Sequence, residues 1–288
     1  MLVLPGGGYS MCSDREADPV AFAYLRAGYH AFVLRYSVKE HATWPNPLND
    51  YEQAMELIKS KAEEWKVWED KIAVIGFSAG GHLAACAATM AKNRPSAALL
   101  GYPAILEDIV HSCLKSAPLP IEHVDGKTSP CFVFTTRTDT LVPVKNSIEF
   151  TLALAKHNIS FESHIYAYGP HGFSTCDPSV NQPGTKLCSR VPNWVQDSIE
   201  WLQDMLGTFG AGAMTEPLCG RKTNGDDEDY LSTECTIGHL LTQEAAMPII
   251  EPIIQGLNAL LSQRSDDGSA DVSGVIGMLF KNLTLNDV

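Results

Sequence analysis

This sequence predicts an α/β protein built on a mainly parallel, doubly wound sheet with helices on both faces. Three observations lead to that fold class. Short apolar runs alternate with helical segments over residues 1–206, as they do in strand–helix–strand units. The run at 72–76 is rich in Val and Ile, which is typical of a strand buried on both faces. A Gly-x-Ser-x-Gly turn then joins that run to a helix of small residues.

Six strands are predicted, at 2–4, 30–35, 72–76, 97–101, 131–136 and 161–166. The first helix is expected to be capped by Asp18, with Pro19 in its first turn and Gly28 after its last. In the second helix, Asp50 followed by Gln53 resembles a capping box. Short connections of this kind between strands and helices favour a doubly wound sheet, in which a site lies beyond the carboxyl ends of the strands.

Apolar residues that recur at a helical period predict the buried face of each further helix. They are Tyr51, Met55, Ile58, Ala62 and Trp65 in the second helix, the small residues 83–88 after Ser78, Val144, Ile148, Leu152 and Ala155 between the last two strands, and Val195, Ile199, Leu202 and Leu206 in the final helix.

The domain organisation follows from length and composition. The 288 residues are enough for one large domain and an appendage. We expect the main domain at 1–206, a flexible acidic linker at 207–235, and a small helical segment at 236–288. The last segment has apolar patches but is too short to bury a core unaided. It is therefore expected to dock on the main domain, on a partner, or on a second copy in a homo-oligomer.

Charge and cysteine usage exclude several classes of protein. The net charge of −13 argues against nucleic acid and anionic membrane surfaces as partners. No stretch reaches the ~18 apolar residues of a spanning helix, and the start lacks the pattern of a signal peptide. The eight cysteines show no C-x-x-C pair and no metal-ligand spacing. We expect a cytoplasmic protein with reduced thiols, no metal and no cofactor.

Three residues that together can form an activated nucleophile each follow a separate predicted strand. Ser78 lies in the Gly-x-Ser-x-Gly turn, Asp139 just past the fifth strand, and His171 just after the sixth. A serine hydroxyl needs a base, and the base needs an orienting carboxylate. The chain order Ser, Asp, His is the order found in nucleophile-elbow hydrolases. Each piece alone has a plainer interpretation as a turn, the start of a helix or a loop histidine, but their joint placement favours catalysis.

An oxyanion also needs N–H donors. The glycines at 6–8 follow the first strand and can present bare backbone amides. Ala79, the residue after the serine, can supply the other donor. A glycine triplet can equally be a plain loop.

Four motifs together resemble a known family. Pro-Gly-Gly-Gly-Tyr at 5–9, Gly-Phe-Ser-Ala-Gly-Gly-His-Leu at 76–83, Asp-Thr-Leu-Val-Pro at 139–143 and Gly-Pro-His-Gly-Phe at 169–173 are similar to the bacterial acetyl-esterase branch of the α/β-hydrolases. That branch includes acetylxylan esterases and is related to the hormone-sensitive-lipase-like esterases. The resemblance covers residues 1–206.

The resemblance implies a serine carboxylesterase that cleaves short-chain acetyl esters, with acetylated sugars or xylo-oligosaccharides as the preferred substrates. By position it implies Ser78 as nucleophile, His171 as base and Asp139 as its partner. The implied oxyanion donors are Gly6, Gly7 and Ala79.

Two departures from the family pattern stand out. Pro5 heads the glycine motif, where lipase relatives have His. The chain also begins a few residues before that motif, whereas relatives carry one or two further strands. We therefore expect either a trimmed start or a sheet edge covered in another way.

Four aromatic residues are placed in loops above the sheet: Tyr9, Trp44, Tyr102 and Phe173. They are candidates for stacking on a sugar ring. The alternative for each is packing against its own loop. His82 is expected to be a structural helix residue.

Two other functions remain open. A serine peptidase of the prolyl-oligopeptidase type shares the order of the triad, although the chain has no large propeller-like region. A non-catalytic binding module that kept the fold is the alternative from a different class.

Overall fold

The computed structural model describes residues 1–181, 184–209, 213–262 and 280–287, with backbone only for 257–262. The chain divides into two compact units, Met1–Arg221 and Lys222–Val288. The linker predicted at 207–235 spans this division. The described part of 207–221 belongs to the first unit, where the N–H groups of Leu218 and Cys219 donate to the carbonyl of Asp204.

The first unit contains a six-stranded sheet in which all strand pairs are parallel. Its spatial order is β2-β1-β3-β4-β5-β6. The strands are β1 (Leu2–Leu4), β2 (Phe32–Val33), β3 (Ala73–Phe77), β4 (Ala97–Gly101), β5 (Cys131–Thr136) and β6 (Phe161–Tyr166). The predicted parallel sheet is confirmed, with a second strand shorter than expected.

Seven α-helices of the first unit connect and cover these strands. They are α1 (Asp18–Arg26), α2 (Asn46–Ser60), α3 (Ala62–Trp65), α4 (Ala79–Met90), α5 (Glu107–Cys113), α6 (Lys145–Lys156) and α7 (Trp194–Leu206). Short 3₁₀ turns lie at Asp14–Glu16, Lys39–His41, Pro120–His123 and Val191–Asn193.

Both faces of the central strands are buried, which is why β1, β3, β4 and β5 are near-continuous apolar runs. One face packs against α2, α4 and α6 through Leu4, Val74, Leu100, Tyr51 and Phe150. The other packs against α1 and α7 through Val3, Ile75, Phe132, Tyr24 and Trp194. The prediction of helices on both faces is confirmed. Since parallel strands end at one edge, the loops after β1, β3, β5 and β6 meet there.

Two predicted helix caps are corrected by the structure. Asp18 is the first residue of α1 and caps nothing with its side chain. Asp50 lies inside α2, which begins four residues earlier at Asn46. Its carboxylate instead accepts the N–H of Ser37 at 2.7 Å, so its role is a contact between loop and helix.

The buried face of α6 is also corrected. Ile148 and Leu152, predicted to be buried, are 45% and 48% exposed. The buried positions include Asn146 and Phe150. Asn146 turns inward because its side-chain oxygen accepts the N–H groups of Ile105 and its neighbour Leu106, at 2.9 and 2.8 Å. The hydrogen bonds of Asn146 therefore help to decide which face of α6 is buried, and that face differs from the one predicted by the apolar pattern.

The second unit contains α8 (Ile237–Leu240) and α9 (Met247–Ser262). Thr236 caps α8 by accepting the N–H of His239. A small apolar cluster is formed by Cys235, Leu240, Ala246 and Ile250. Among the apolar patches expected in 236–288, residues 275–279 lie outside the described part of the chain. Within the described part of the chain, none of the helices combines the length and the apolar character that crossing a membrane requires.

Candidate active site

Ser78 lies at the sharp turn between β3 and α4. Its backbone has φ 54° and ψ −116°. Residues other than glycine rarely adopt this backbone conformation, which occurs at functional turns. A Cβ at Gly76 would lie 2.0 Å from the carbonyl oxygen of Gly80, and a Cβ at Gly80 would lie 2.1 Å from that of Leu4. Glycine is therefore required at both positions for the helix to approach the strands this closely. The turn lifts the Ser78 hydroxyl above the carboxyl end of the sheet.

The structure brings Ser78, Asp139 and His171 together. His171 Nε2 lies 2.9 Å from Ser78 Oγ, and His171 Nδ1 lies 2.7 Å from Asp139 Oδ2. Because a carboxylate can only accept, Nδ1 carries the proton in the neutral ring and Nε2 is the acceptor facing the serine. The arrangement holds a base ready to take the hydroxyl proton.

The carboxylate of Asp139 is held rigidly. Its Oδ1 accepts the N–H groups of Leu141 and Val142, both at 2.9 Å. The side chain of Asp139 is completely buried, whereas that of His171 is 15% exposed. The ring of Tyr102 packs edge-on against the imidazole, with a centroid distance of 4.8 Å. These contacts fix the imidazole while leaving it access to a substrate.

The three predicted oxyanion donors differ in whether their N–H group is already hydrogen-bonded. The N–H of Gly6 donates to Glu16 Oε2 at 2.9 Å, so it is already used. For the N–H groups of Gly7 and Ala79, the described residues provide no hydrogen-bond acceptor. Gly7 has φ +128°, and a Cβ there would lie 2.2 Å from the carbonyl oxygen of Met11, so only glycine fits. The two free N–H groups flank the serine turn.

A buried carboxylate that sequence reasoning missed supports this loop. Glu16 is 5% exposed and accepts the hydroxyl of Tyr102 at 2.6 Å as well as the N–H of Gly6. Burial raises the pKa of Glu16, and the bonds from Tyr102 and Gly6 partly oppose that rise. Since Tyr102 also contacts His171, one carboxylate links the glycine loop at 6–8, the predicted oxyanion loop, to the imidazole of the candidate triad. A single acidic residue in a polar stretch gave no sequence signal for this role.

His82 supports the other side of the loop. It is fully buried, with Nδ1 accepting the hydroxyl of Tyr9 at 2.6 Å and Nε2 donating to the carbonyl of Pro118 at 2.9 Å. Burial lowers the pKa of His82 to about 4, so the ring is neutral at pH 7. His82 therefore anchors the oxyanion loop to α4, while its backbone N–H donates to the carbonyl of Ser78 at 2.9 Å.

The substrate contacts predicted for three aromatic residues are corrected. Tyr9, Tyr102 and Phe173 are 3%, 0% and 1% exposed, and a buried ring cannot stack on a sugar. They are buried because the hydroxyls of the tyrosines find partners inside and Phe173 packs on Tyr102 at 4.7 Å. Trp44 is half-buried, and its ring lies 5.8 Å from that of His82. It remains a candidate.

A metal site is not found in the described part of the chain: no group of three or more His, Cys, Asp or Glu side chains is placed to hold an ion. The groups that the structure brings together at this site are the serine hydroxyl, the imidazole and the backbone N–H groups of Gly7 and Ala79.

Comparisons with known proteins identify the family of this chain. The family model described as BD-FAE matches residues 1–97. The chain is 46% identical to MGS-M1, an alpha/beta hydrolase enzyme from a Medee basin deep-sea metagenome library. The match covers 72% of this chain and 84% of that one, with a TM-score of 0.67. The chain belongs to the α/β-hydrolases.

Curated relatives act on esters or xylan, by their names. The chain is 31% identical over 207 residues to endo-1,4-beta-xylanase B of Butyrivibrio fibrisolvens, covering 62% of this chain and 33% of the xylanase. It is also 31% identical over 192 residues to acetylxylan esterase of Xylanibacter ruminicola, covering 59% of this chain and 40% of the esterase. The chain thus spans well under half of the length of these two relatives.

The Glu16 network makes a testable contribution to stability and rate. Glu16→Ala leaves a buried N–H and a buried hydroxyl without an acceptor, at about 1–3 kcal/mol each. We expect the free energy of unfolding to fall by about 2–5 kcal/mol in urea titrations. We also expect kcat/KM for p-nitrophenyl acetate to fall at least ~10-fold, since the oxyanion loop loses its anchor. The exposed Glu63→Ala is the control, and equal effects from both variants would refute the assigned role.

The neutrality of His82 predicts a pH dependence of stability. Its pKa is about 4 in the folded chain and 6.5 in its absence. Below pH 6.5 the unfolded chain binds the proton first, so stability is lost as the pH falls from 6.5 towards 4, by about 3 kcal/mol in all. The free energy of unfolding would be measured across this range for wild type and for His82→Gln. Between pH 6.5 and 4 the wild type is expected to lose about 3 kcal/mol more than the variant. Parallel curves for the two proteins would contradict it.

Proposed function

We propose that this protein is a serine carboxylesterase of short-chain acetyl esters, with Ser78 as nucleophile, His171 as base and Asp139 as its orienting partner. The observation that carries the proposal is the continuous hydrogen-bonded path from Asp139 through His171 to Ser78. Its position at the carboxyl ends of β3, β5 and β6 is where α/β enzymes place their chemistry.

The first half-reaction forms an acyl-enzyme. His171 Nε2 takes the Ser78 proton as Oγ forms a bond to the ester carbonyl carbon. The carbonyl oxygen becomes an oxyanion, which the N–H groups of Gly7 and Ala79 stabilise. The bond to the alcohol oxygen then breaks, and His171 gives the proton to that oxygen. Removing one oxyanion donor would raise the barrier by roughly 3 kcal/mol.

The second half-reaction restores the enzyme. Water loses a proton to His171 Nε2 as its oxygen bonds to the acyl carbon. Collapse of the second oxyanion breaks the bond to Ser78 Oγ, which regains the proton, and acetate leaves. Asp139 keeps its negative charge throughout and stabilises the transient imidazolium.

Acetylated sugars or xylo-oligosaccharides are the proposed natural substrates. The names of the curated relatives support this class, since one is an acetylxylan esterase and one a xylanase. Trp44, half-buried with its ring against that of His82, is the aromatic residue that we propose to meet a sugar ring. The intact hydrogen-bonded triad favours an enzyme over a non-catalytic binding module. Location in the cytoplasm and assembly through 236–288 stay predictions.

A substrate panel tests the proposal. Purified protein would be assayed with p-nitrophenyl acetate, butyrate and octanoate, with acetylated xylo-oligosaccharides, and with a prolyl peptide anilide. We expect kcat/KM to be highest for acetyl esters, acetate to be released from the acetylated sugars, and the peptide to be untouched. Cleavage of the anilide without ester hydrolysis would establish the peptidase alternative. Inactivity on all of them would end the proposal.

A further inference from the structure

A basic cleft lies in the first unit, at the end of the sheet away from the triad. Its volume is about 760 Å³, within the size range of small-molecule sites. It is bounded by the segments that precede β3, β4 and β5 and by the ends of α2 and α7. Its cationic lining residues are Lys59, Lys71, Lys92, Arg94, Lys127 and Arg221.

The charge of this basic cleft is opposite to that of the chain. Six of the 21 lysines and arginines line it, with Asp70 as the one acidic lining residue, whereas the chain carries a net charge of −13. Like charges brought together repel one another, so the cluster costs stability unless an anion binds it.

Most of these cations have no ionic partner. Arg94 pairs with Asp125 at 3.1 Å. Among the described residues, the other five cations form no ion pair. Lys59 donates to the side-chain oxygen of Asn93, and Arg221 donates to the carbonyl of Lys127. These two neutral contacts orient cationic groups without neutralising them.

We propose that this basic cleft binds a short polyphosphate chain, either free or as part of a nucleotide. Several cations in a small volume require a ligand of high charge per volume, and lysine is an effective binder of phosphate. The acidic surface elsewhere repels a long polyanion such as nucleic acid but tolerates a compact one. None of the described lining residues is aromatic, so nothing is placed to stack on a base.

The phosphate chain alone is therefore the recognised group. Because the cleft is at the amino ends of the strands and the triad is at their carboxyl ends, this ligand is not the ester substrate. The proposal is independent of the esterase function.

Isothermal titration calorimetry of the full chain tests the proposal with tripolyphosphate, ATP and citrate at low and moderate ionic strength. We expect tripolyphosphate and ATP to bind with similar affinity, both weakened by salt, and citrate to bind at least ~10-fold more weakly. ATP binding without tripolyphosphate binding would overturn the inference that the phosphate chain alone is recognised. Equal binding of citrate would overturn the preference for phosphate. No binding of any of them would overturn the site.

Matched variants locate the site. Lys71→Gln/Lys92→Gln/Lys127→Gln removes three charges that form no ion pair among the described residues and is expected to weaken tripolyphosphate binding at least ~10-fold. The control, Lys145→Gln/Lys156→Gln/Lys186→Gln, removes three exposed charges elsewhere and so changes the net charge equally. Circular dichroism verifies that both variants are folded. Equal losses of affinity in the two variants would show general charge attraction and overturn the basic cleft as the site.

Discussion

Replacing Ser78 with alanine is expected to abolish ester hydrolysis while leaving the fold intact. The Ser78 hydroxyl has one side-chain hydrogen bond, to His171, and alanine keeps the Cβ at the strained turn. Folding is therefore expected to be unaffected. Without the nucleophile no acyl-enzyme can form, and the loss in kcat is expected to be about 10⁶-fold, the loss seen when the serine of a catalytic triad is removed.

The measurement is steady-state hydrolysis of p-nitrophenyl acetate, with circular dichroism to verify the fold. Ser163→Ala, an exposed serine on β6, removes the same hydroxyl away from the site and should keep full activity. Activity of Ser78→Ala within ~10-fold of wild type would mean that another residue attacks the ester.

Asp139→Asn is expected to lower kcat by about 10⁴-fold with little change in stability. The N–H groups of Leu141 and Val142 both donate to Oδ1, so the asparagine oxygen must stay at that position. Its NH₂ group then faces His171 Nδ1, and it can only donate there. The imidazole is driven to the other tautomer, with a proton on Nε2, and cannot accept the proton of Ser78.

The change is measured as kcat and as the pH profile of kcat/KM. Asp108→Asn, on the exposed side of α5, is the matched control. A loss below ~10-fold for Asp139→Asn would show that this carboxylate does not select the tautomer of His171.

The bounds of the central strands β4 and β5 could be predicted to the residue, because burial on both faces requires uninterrupted apolar runs. β4, β5 and β6 begin and end where they were expected. The orientation of α6 could not be predicted, since it depends on Asn146 bonding to the N–H groups of a distant loop. The cap predicted at Asp50 failed for a related reason, because a tertiary contact with Ser37 takes its carboxylate.

The triad was accessible from sequence because each member follows a strand at a recognisable motif. Its support was not. Glu16 gains its role by accepting hydrogen bonds from Tyr102 and from the N–H of Gly6. Tyr102 is distant in the sequence, and Gly6 stands at no motif spacing from Glu16. The same partners explain why Tyr102 is buried under the site and not exposed to a sugar. Pairwise contacts of this kind arise only once the chain has folded.

The most direct test of the account is covalent trapping. The protein would be treated with one equivalent of a fluorophosphonate, digested, and mapped by mass spectrometry. The serine bound to an imidazole is the activated one, so the predicted result is a single adduct on Ser78, with ester hydrolysis lost in proportion to labelling and no labelling of His171→Ala. An adduct on a different residue would contradict the account. So would a treated protein that takes up no label and keeps full ester hydrolysis.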